Sequence, residues 1–379
     1  MRIVSSLAVL LTLTVGAMSC AASAKAEVEY DAVLTADLLR NHQGGLEKGT
    51  RLMGNLDLSA AWQGQGGWDG FAYVLADAGG GFSERYSGDA QVVSNIDAPK
   101  GVRLFEAWLR KTGDSERWSV TGGLINLNGI FDVQEAGALF LNASHGIGPD
   151  YSQSGPSIFP FSTLGLVGEW HLNDDLRVRG GVFDGVAGDP SHQNNFIGLR
   201  LDEDDGAHWV VEAEQGFARG YVKLGAWGYS AAAERLDGAG PSHANHGHYA
   251  QVKYDFYRPD PEGEQGVSGW IRWGQANRDL QAIDTYAGGG LVWTGPVGRV
   301  DDAAGIAVAH AHFGDPFAES VGIALKPEVT WELSYRYAIR DGLSLQPDLQ
   351  YIQHPAGDPD TENALVLGLR LRVGLAAFK

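Results

Sequence analysis

Near its C-terminus this chain alternates apolar and polar residues over lengths that few folds can use. Val329, Trp331, Leu333, Tyr335, Tyr337 and Ile339 share one parity, and Glu328, Thr330, Glu332, Ser334 and Arg336 take the other. Leu343, Leu345, Pro347, Leu349 and Tyr351 then oppose Ser344, Gln346, Asp348 and Gln350, and Leu365, Leu367, Leu369, Leu371 and Val373 oppose Gly368, Arg370 and Arg372. Successive side chains of a strand point to opposite faces, so each segment reads as a strand with one apolar and one polar face. A soluble sandwich also alternates, but its strands usually run to about five or six residues. These reach ten or more, the length a tilted strand needs to cross a bilayer. Aromatic residues gather near segment ends at Trp62, Trp68, Trp170, Tyr257 and Tyr351, which suits the two interfaces of a membrane. The pattern predicts an all-β fold, a transmembrane antiparallel β-barrel.

Similar segments run from 28–40 to 363–374, roughly seventeen in all. Single-chain bacterial barrels have an even number of strands, with short periplasmic turns and longer outer loops. Omitting 195–201 leaves sixteen and sorts the connections by length, the short ones at one end and nearly all the long ones at the other. The third long connection, 127–160, mixes Gly, Pro, Asn and Ser around an apolar patch, Ala136 to Leu141. It reads as a folded loop that enters the mouth of the barrel and narrows it, with the patch packed on the inner wall.

The N-terminus carries Arg2, an apolar run from Ile3 to Val15, and small residues leading to Ala24-Lys25-Ala26. That run is too short for a spanning helix, which needs roughly 20 apolar residues. It reads as a secretory signal over residues 1–26, leaving 27–379 as one barrel domain. The single cysteine, Cys20, falls inside that signal, so a mature chain has neither disulfides nor a Cys metal site. The formal charge of −19 argues against nucleic acid, whose phosphates it would repel.

Several runs are distinctive: SGDAQVVSNIDAP at 87–99, RLFEAWLRK at 103–111, GGLINLNGIFDV at 122–133, ALFLNASHGIGPDYSQSGPSIFP at 138–160, GGVFDGVAGDP at 180–190 and PDLQYIQHPAG at 347–357. They resemble the carbohydrate-selective porins of the OprB type, over most of the mature chain. The resemblance implies a sixteen-stranded barrel in the bacterial outer membrane that lets sugars diffuse inward, monomeric or trimeric. Its partners would be mono- or small oligosaccharides, outer-membrane lipid and the barrel-insertion machinery. One departure is terminal: such barrels usually end in an aromatic residue, and here Phe378 is followed by Lys379.

A sugar offers hydroxyls to polar groups and C–H faces to aromatic rings, so a selective lumen needs both. If Phe105 and Leu109 meet lipid, then Glu106, Trp108 and Arg110 point inward; Arg177, Arg179, Glu212, Glu332, Arg336, Asp348, Arg370 and Arg372 are inward by the same rule. Glu106 and Arg110 lead the candidates for sugar contact because they lie within a family-like run, and Asn95, Asp132 and Glu135 join them from the loops. For any one of these charges, the simpler alternative is that it hydrates a wide lumen. His243, His246 and His248 lie in a Gly-rich loop without Cys or close carboxylates and read as solvated. No G-x-S-x-G turn is present, so neither catalysis nor a cofactor or metal is expected. Other classes stay open: a general diffusion porin, a barrel enzyme or adhesin, and a secreted β-sandwich lectin.

Overall fold

The computed structural model describes residues 27–260 and 263–378, so the leader 1–26, with Cys20, and Lys379 lie outside the described residues. The first half of the wall is β1 (Glu27–Gln43), β2 (Gly49–Gln63), β3 (Trp68–Ala78), β4 (Gly101–Thr112), β5 (Trp118–Ile125), β6 (Thr163–His171), β7 (Leu176–Asp184) and β8 (Ala207–Phe217). The second half is β9 (Gly220–Tyr229), β10 (His246–Tyr257), β11 (Gly266–Ala276), β12 (Ile283–Thr294), β13 (Ala303–Phe313), β14 (Glu328–Arg340), β15 (Leu343–Gln353) and β16 (Ala364–Phe378). Each strand pairs antiparallel with its sequence neighbours, and β1 closes on β16 through a register that runs from Tyr30↔Phe378 to Gln43↔Leu365. Closure matters in a bilayer because no water is there to satisfy an open strand edge. The sixteen expected strands are all present. Segment 195–201 is irregular, and Phe196 lends its carbonyl to the backbone N–H of Leu104 instead of forming a strand.

Polarity is inverted relative to a water-soluble fold. Leu38, Leu109, Ile271, Leu333 and Leu369 are between 39% and 68% exposed on the outside. Thr35, Asp37, Asn55, Gln251, Arg272, Glu332 and Gln350, on the opposite parity, are buried. A sandwich would bury the apolar face; this arrangement needs hydrocarbon outside. Trp68, Trp170 and Tyr257 sit exposed near the ends of their strands, as interfacial side chains do.

One orientation differs from the alternation. Phe105 faces the interior and not lipid: it is 2% exposed and packs edge-on to Tyr73 at 5.5 Å. The cause is a β-bulge, since Tyr73 pairs with Glu106 but Val74 pairs with Leu104, leaving Phe105 as an extra residue. A bulge shifts parity by one, so Phe105 and Glu106 both serve the inner face while Leu109 stays outside.

Tight links such as 172–175, 218–219 and 341–342 lie at one end of the barrel, and the long connections 79–100, 126–162 and 185–206 at the other. The expected topology places the long-loop end outside the cell. Because the described residues contain no cysteine, single introduced cysteines report this directly. Gly238→Cys, in a long-end loop, is expected to react with an impermeant maleimide on intact cells, and Asp174→Cys, in a tight link, only after the outer membrane is opened. The reverse labelling would invert the barrel.

Candidate functional site

The long connections 79–100 and 126–162 do not stand free above the rim; both hydrogen-bond to polar side chains of the inner face. On β14, Glu332 accepts the backbone N–H groups of Leu141 and Asn142, and Glu328 accepts those of Ala90 and Gln91. On β15, Gln346 donates to the carbonyl of Leu139 and Gln350 donates to that of Val93. The two loops also bond to each other, Asn95 N–H to the Leu141 carbonyl at 2.7 Å and Ala143 N–H to the Val92 carbonyl at 2.9 Å. Irregular backbone at membrane depth requires this kind of satisfaction.

The strongest fixing point lies on β11. The Arg272 guanidinium donates to Asp132, with Nε to Oδ1 at 3.0 Å and Nη2 to Oδ2 at 2.8 Å, and also forms an ion pair with Asp150; all three side chains are fully buried. The rings of Tyr249 and Tyr286 each lie 5.4 Å from the guanidinium carbon. Burial pushes the Asp132 carboxyl above its usual range, and Arg272 acts in the opposite direction. Removing one partner of such a buried pair typically costs about 3–5 kcal/mol, because the remaining charge loses its compensation. Nearby, the Tyr151 ring stacks on Trp227 at 4.7 Å, in the helical turn Pro149–Ser152.

Apolar contacts complete the seating. Leu139 and Phe140 pack on Trp270, Val292, Ala303 and Ala307, and Leu141 joins Leu39, Met53 and Phe82. Gly305 on β13 is required here, since a Cβ at that position would come within 2.6 Å of the Phe140 ring. His145 packs against Phe140 and Trp270, its ring centroid 5.1 and 5.8 Å from theirs. Burial lowers the imidazole pKa to about 3, so it sits there as a neutral ring.

Beside the loops a cavity of about 800 Å³ remains, within the range of roughly 300–1,000 Å³ usual for small-molecule sites. One side of the lumen is aromatic. Phe159, Phe105, Tyr73, Phe71 and Trp108 form a ladder with successive centroid separations of 6.3, 5.5, 6.1 and 5.4 Å. Arg110 continues it, its guanidinium 5.0 Å from the Trp108 ring. Phe159, Phe105 and Tyr73 line the cavity itself. The lining also carries Gln346 of β15, Arg336 of β14 and Arg370 and Arg372 of β16. Arg370 is held in two bonds of 2.7 Å to Asp37 and a third to the Asn95 side chain.

The sequence candidates therefore separate. Asn95 and Arg336 line the cavity. Arg110 and Glu135 line smaller hollows toward the tight-link end. Trp108 belongs to the ladder, and Glu106 beside it accepts from the Trp108 indole and the Asn126 N–H through one oxygen, Oε2. Asp132, Glu332 and Asp348 are buried; the first two hold loop 126–162, and none of the three lines the cavity. In the cluster His243-His246-His248, His243 bonds the Ser230 carbonyl and His248 packs on Trp273. Sequence reasoning missed the Arg272 cluster, whose partners lie 140 and 122 positions away. Parity alone would have placed Arg272 inward, between the outward Ile271 and Trp273.

Comparison with known proteins agrees with this geometry. The high-pH structure of OprB from Pseudomonas putida matches with a TM-score of 0.82 at 19% identity, covering 92% of this chain and 94% of that one. A mutant porin of Rh. blastica matches with a TM-score of 0.58 at 10% identity, over 92% of this chain and all of the other. Porin B of Pseudomonas aeruginosa is 23% identical over 147 residues, a stretch that spans 34% of this chain and about a third, 32%, of that porin. The model of the carbohydrate-selective porin, OprB family, matches residues 51–375. This barrel thus belongs to the OprB family of carbohydrate-selective porins and resides in the bacterial outer membrane.

Proposed function

We propose that the barrel is a passive channel for sugars, in which loop 126–162 narrows the lumen and the aromatic ladder guides the solute past the narrowing. The observation that carries this reading is a five-ring ladder, three of whose rings line one cavity together with Gln346, Arg336 and Arg372. Pyranose C–H faces slide along rings, while hydroxyls exchange water for the polar side chains of the lining. Weak contacts repeated along a path keep exit fast, which a channel requires. Phe71 and Trp108 of the ladder are half-buried and so within reach of a passing solute.

The test is reduction of single-channel current by glucose and maltose in a planar bilayer. Trp108→Ala removes the last ring of the ladder and the indole donor to Glu106. It is expected to weaken block several-fold, corresponding to on the order of 1 kcal/mol, with conductance equal to or slightly above wild type. Block that is absent in the wild type would make this a general diffusion porin. Unchanged block in the variant would move the sugar path off the ladder.

A further inference from the structure

Resting on the sugar-channel reading, we infer that the preferred solute carries a carboxylate: the cavity is built for an anionic monosaccharide of the hexuronate class. Although the chain as a whole is strongly acidic, the acids at this cavity are already engaged. Asp57 accepts the Tyr73 hydroxyl at 2.7 Å, and Asp97 accepts backbone N–H groups of Gly81 and Phe82. Asp37, behind the lining, is committed to Arg370 and the Ser94 hydroxyl. The side chains of Arg336 and Arg372, by contrast, make no ion pair or hydrogen bond among the described residues, yet both line the cavity.

Their placement suits one ligand group. Arg372 on β16 pairs across the sheet with Ser344 on β15 and with Thr35 on β1, and Thr35 pairs in turn with Asn55 on β2. Arg336 lies two residues before Ala338, the partner of Ser344 on β14. Arg372 thus sits within a short polar row of the wall, and Arg336 lies one inward-facing position from the end of that row. Asp77 pairs with Asn55 at the end of this row, where the Asn55 amide and Arg103 take up its carboxylate; Asp57, two residues beyond Asn55 on the same strand face, lines the cavity and attracts Arg372. It tempers Arg372 but leaves its donors unfilled. A guanidinium with unfilled donors is matched by a planar carboxylate, which accepts two parallel bonds. In the same lining, Tyr73 and Phe159 offer rings to a pyranose face. Free guanidiniums together with aromatic rings in one lining describe a sugar acid better than a neutral hexose or a simple anion.

The experiment compares block of single-channel current in the purified full barrel by glucose, glucuronate and isethionate, a monovalent anion without a sugar ring, at about 0.1 M salt, where screening is moderate. The expected result is half-block by glucuronate at about a tenfold lower concentration than glucose, the difference a charge-assisted bond supplies, with isethionate far weaker than glucuronate. In the double variant Arg336→Gln, Arg372→Gln, with heat-modifiable gel mobility confirming a folded barrel, glucuronate is expected to fall to the level of glucose while glucose block stays within about twofold. Equal block by glucose and glucuronate in the wild type overturns the carboxylate preference alone. So does isethionate matching glucuronate, or a preference that survives the double variant. Absence of block by either sugar overturns the sugar-channel reading beneath it.

Discussion

Replacing Gly137 to Gly148 with a short Gly-Ser linker is expected to raise single-channel conductance several-fold and to weaken sugar block in the same preparation. The segment contains Leu139, Phe140 and Leu141, which pack on the inner wall, and Asn142, whose N–H is held by Glu332. Its loss removes the bulk of the loop from the lumen and exposes Trp270, Glu332 and Gln346 to water. The wall ladders do not pass through this segment, so the barrel is expected to close and insert. The Arg272 cluster remains, because Asp132 and Asp150 lie outside the excision. It keeps the flanks of the loop seated and confines the change to the excised segment. An unchanged conductance in a folded barrel would show that the restriction lies elsewhere along the lumen.

Leu369→Arg is expected to cripple insertion, whereas Ser344→Arg, on the neighbouring strand but facing inward, is expected to be nearly silent. Leu369 sits between Leu38 on β1 and Pro347 on β15, in the exposed apolar band of the outer face. An Arg at the midplane of a lipid face costs roughly 2–4 kcal/mol. Ser344 points into the lumen, where water solvates the new charge. Equal folding yields in lipid for the two variants would contradict the inverted polarity on which the membrane assignment rests. Gly368 would make a poorer inward control than its parity suggests. A Cβ there would approach Asp348 and Leu39 to 3.1 Å, with Leu141 of the loop at 3.5 Å, so even a small side chain would disturb the packing beneath the loop.

Alternation was enough to read the wall. The period-two pattern in 328–339, 343–351 and 365–373 assigns strand, face and register together, because a slip of one residue would turn every leucine toward water in the lumen. The even count and the sorting of connections by length then led to sixteen strands and to the exclusion of 195–201, as found. Where local pattern failed, the reason was a feature without periodic signature. The bulge at Phe105 changes parity in the middle of an otherwise regular strand, and FEAW offers no sign of it. The second loop, 79–100, reads in the sequence as a long outer connection with a family-like run and the candidate Asn95, but nothing there shows that Gln91 and Asn95 bind the wall.

What the sequence determined by itself was the barrel, its lipid-facing band and the presence of an apolar patch, Ala136 to Leu141, in the third long connection. These follow from properties that each residue carries along the chain: side-chain polarity and the twofold repeat of an extended backbone. What only the tertiary structure decided was which charges remain open to the passage. Inward parity treats Glu332, Asp348, Arg336 and Arg372 alike, but the first two are covered by the loops and the last two are not. That difference depends on loop residues some 190 positions from Glu332. Burial and pairing between such distant residues arise only when the closed wall brings them together, so no reading of neighbours along the chain could have separated the acids that hold the loops from the arginines that line the cavity.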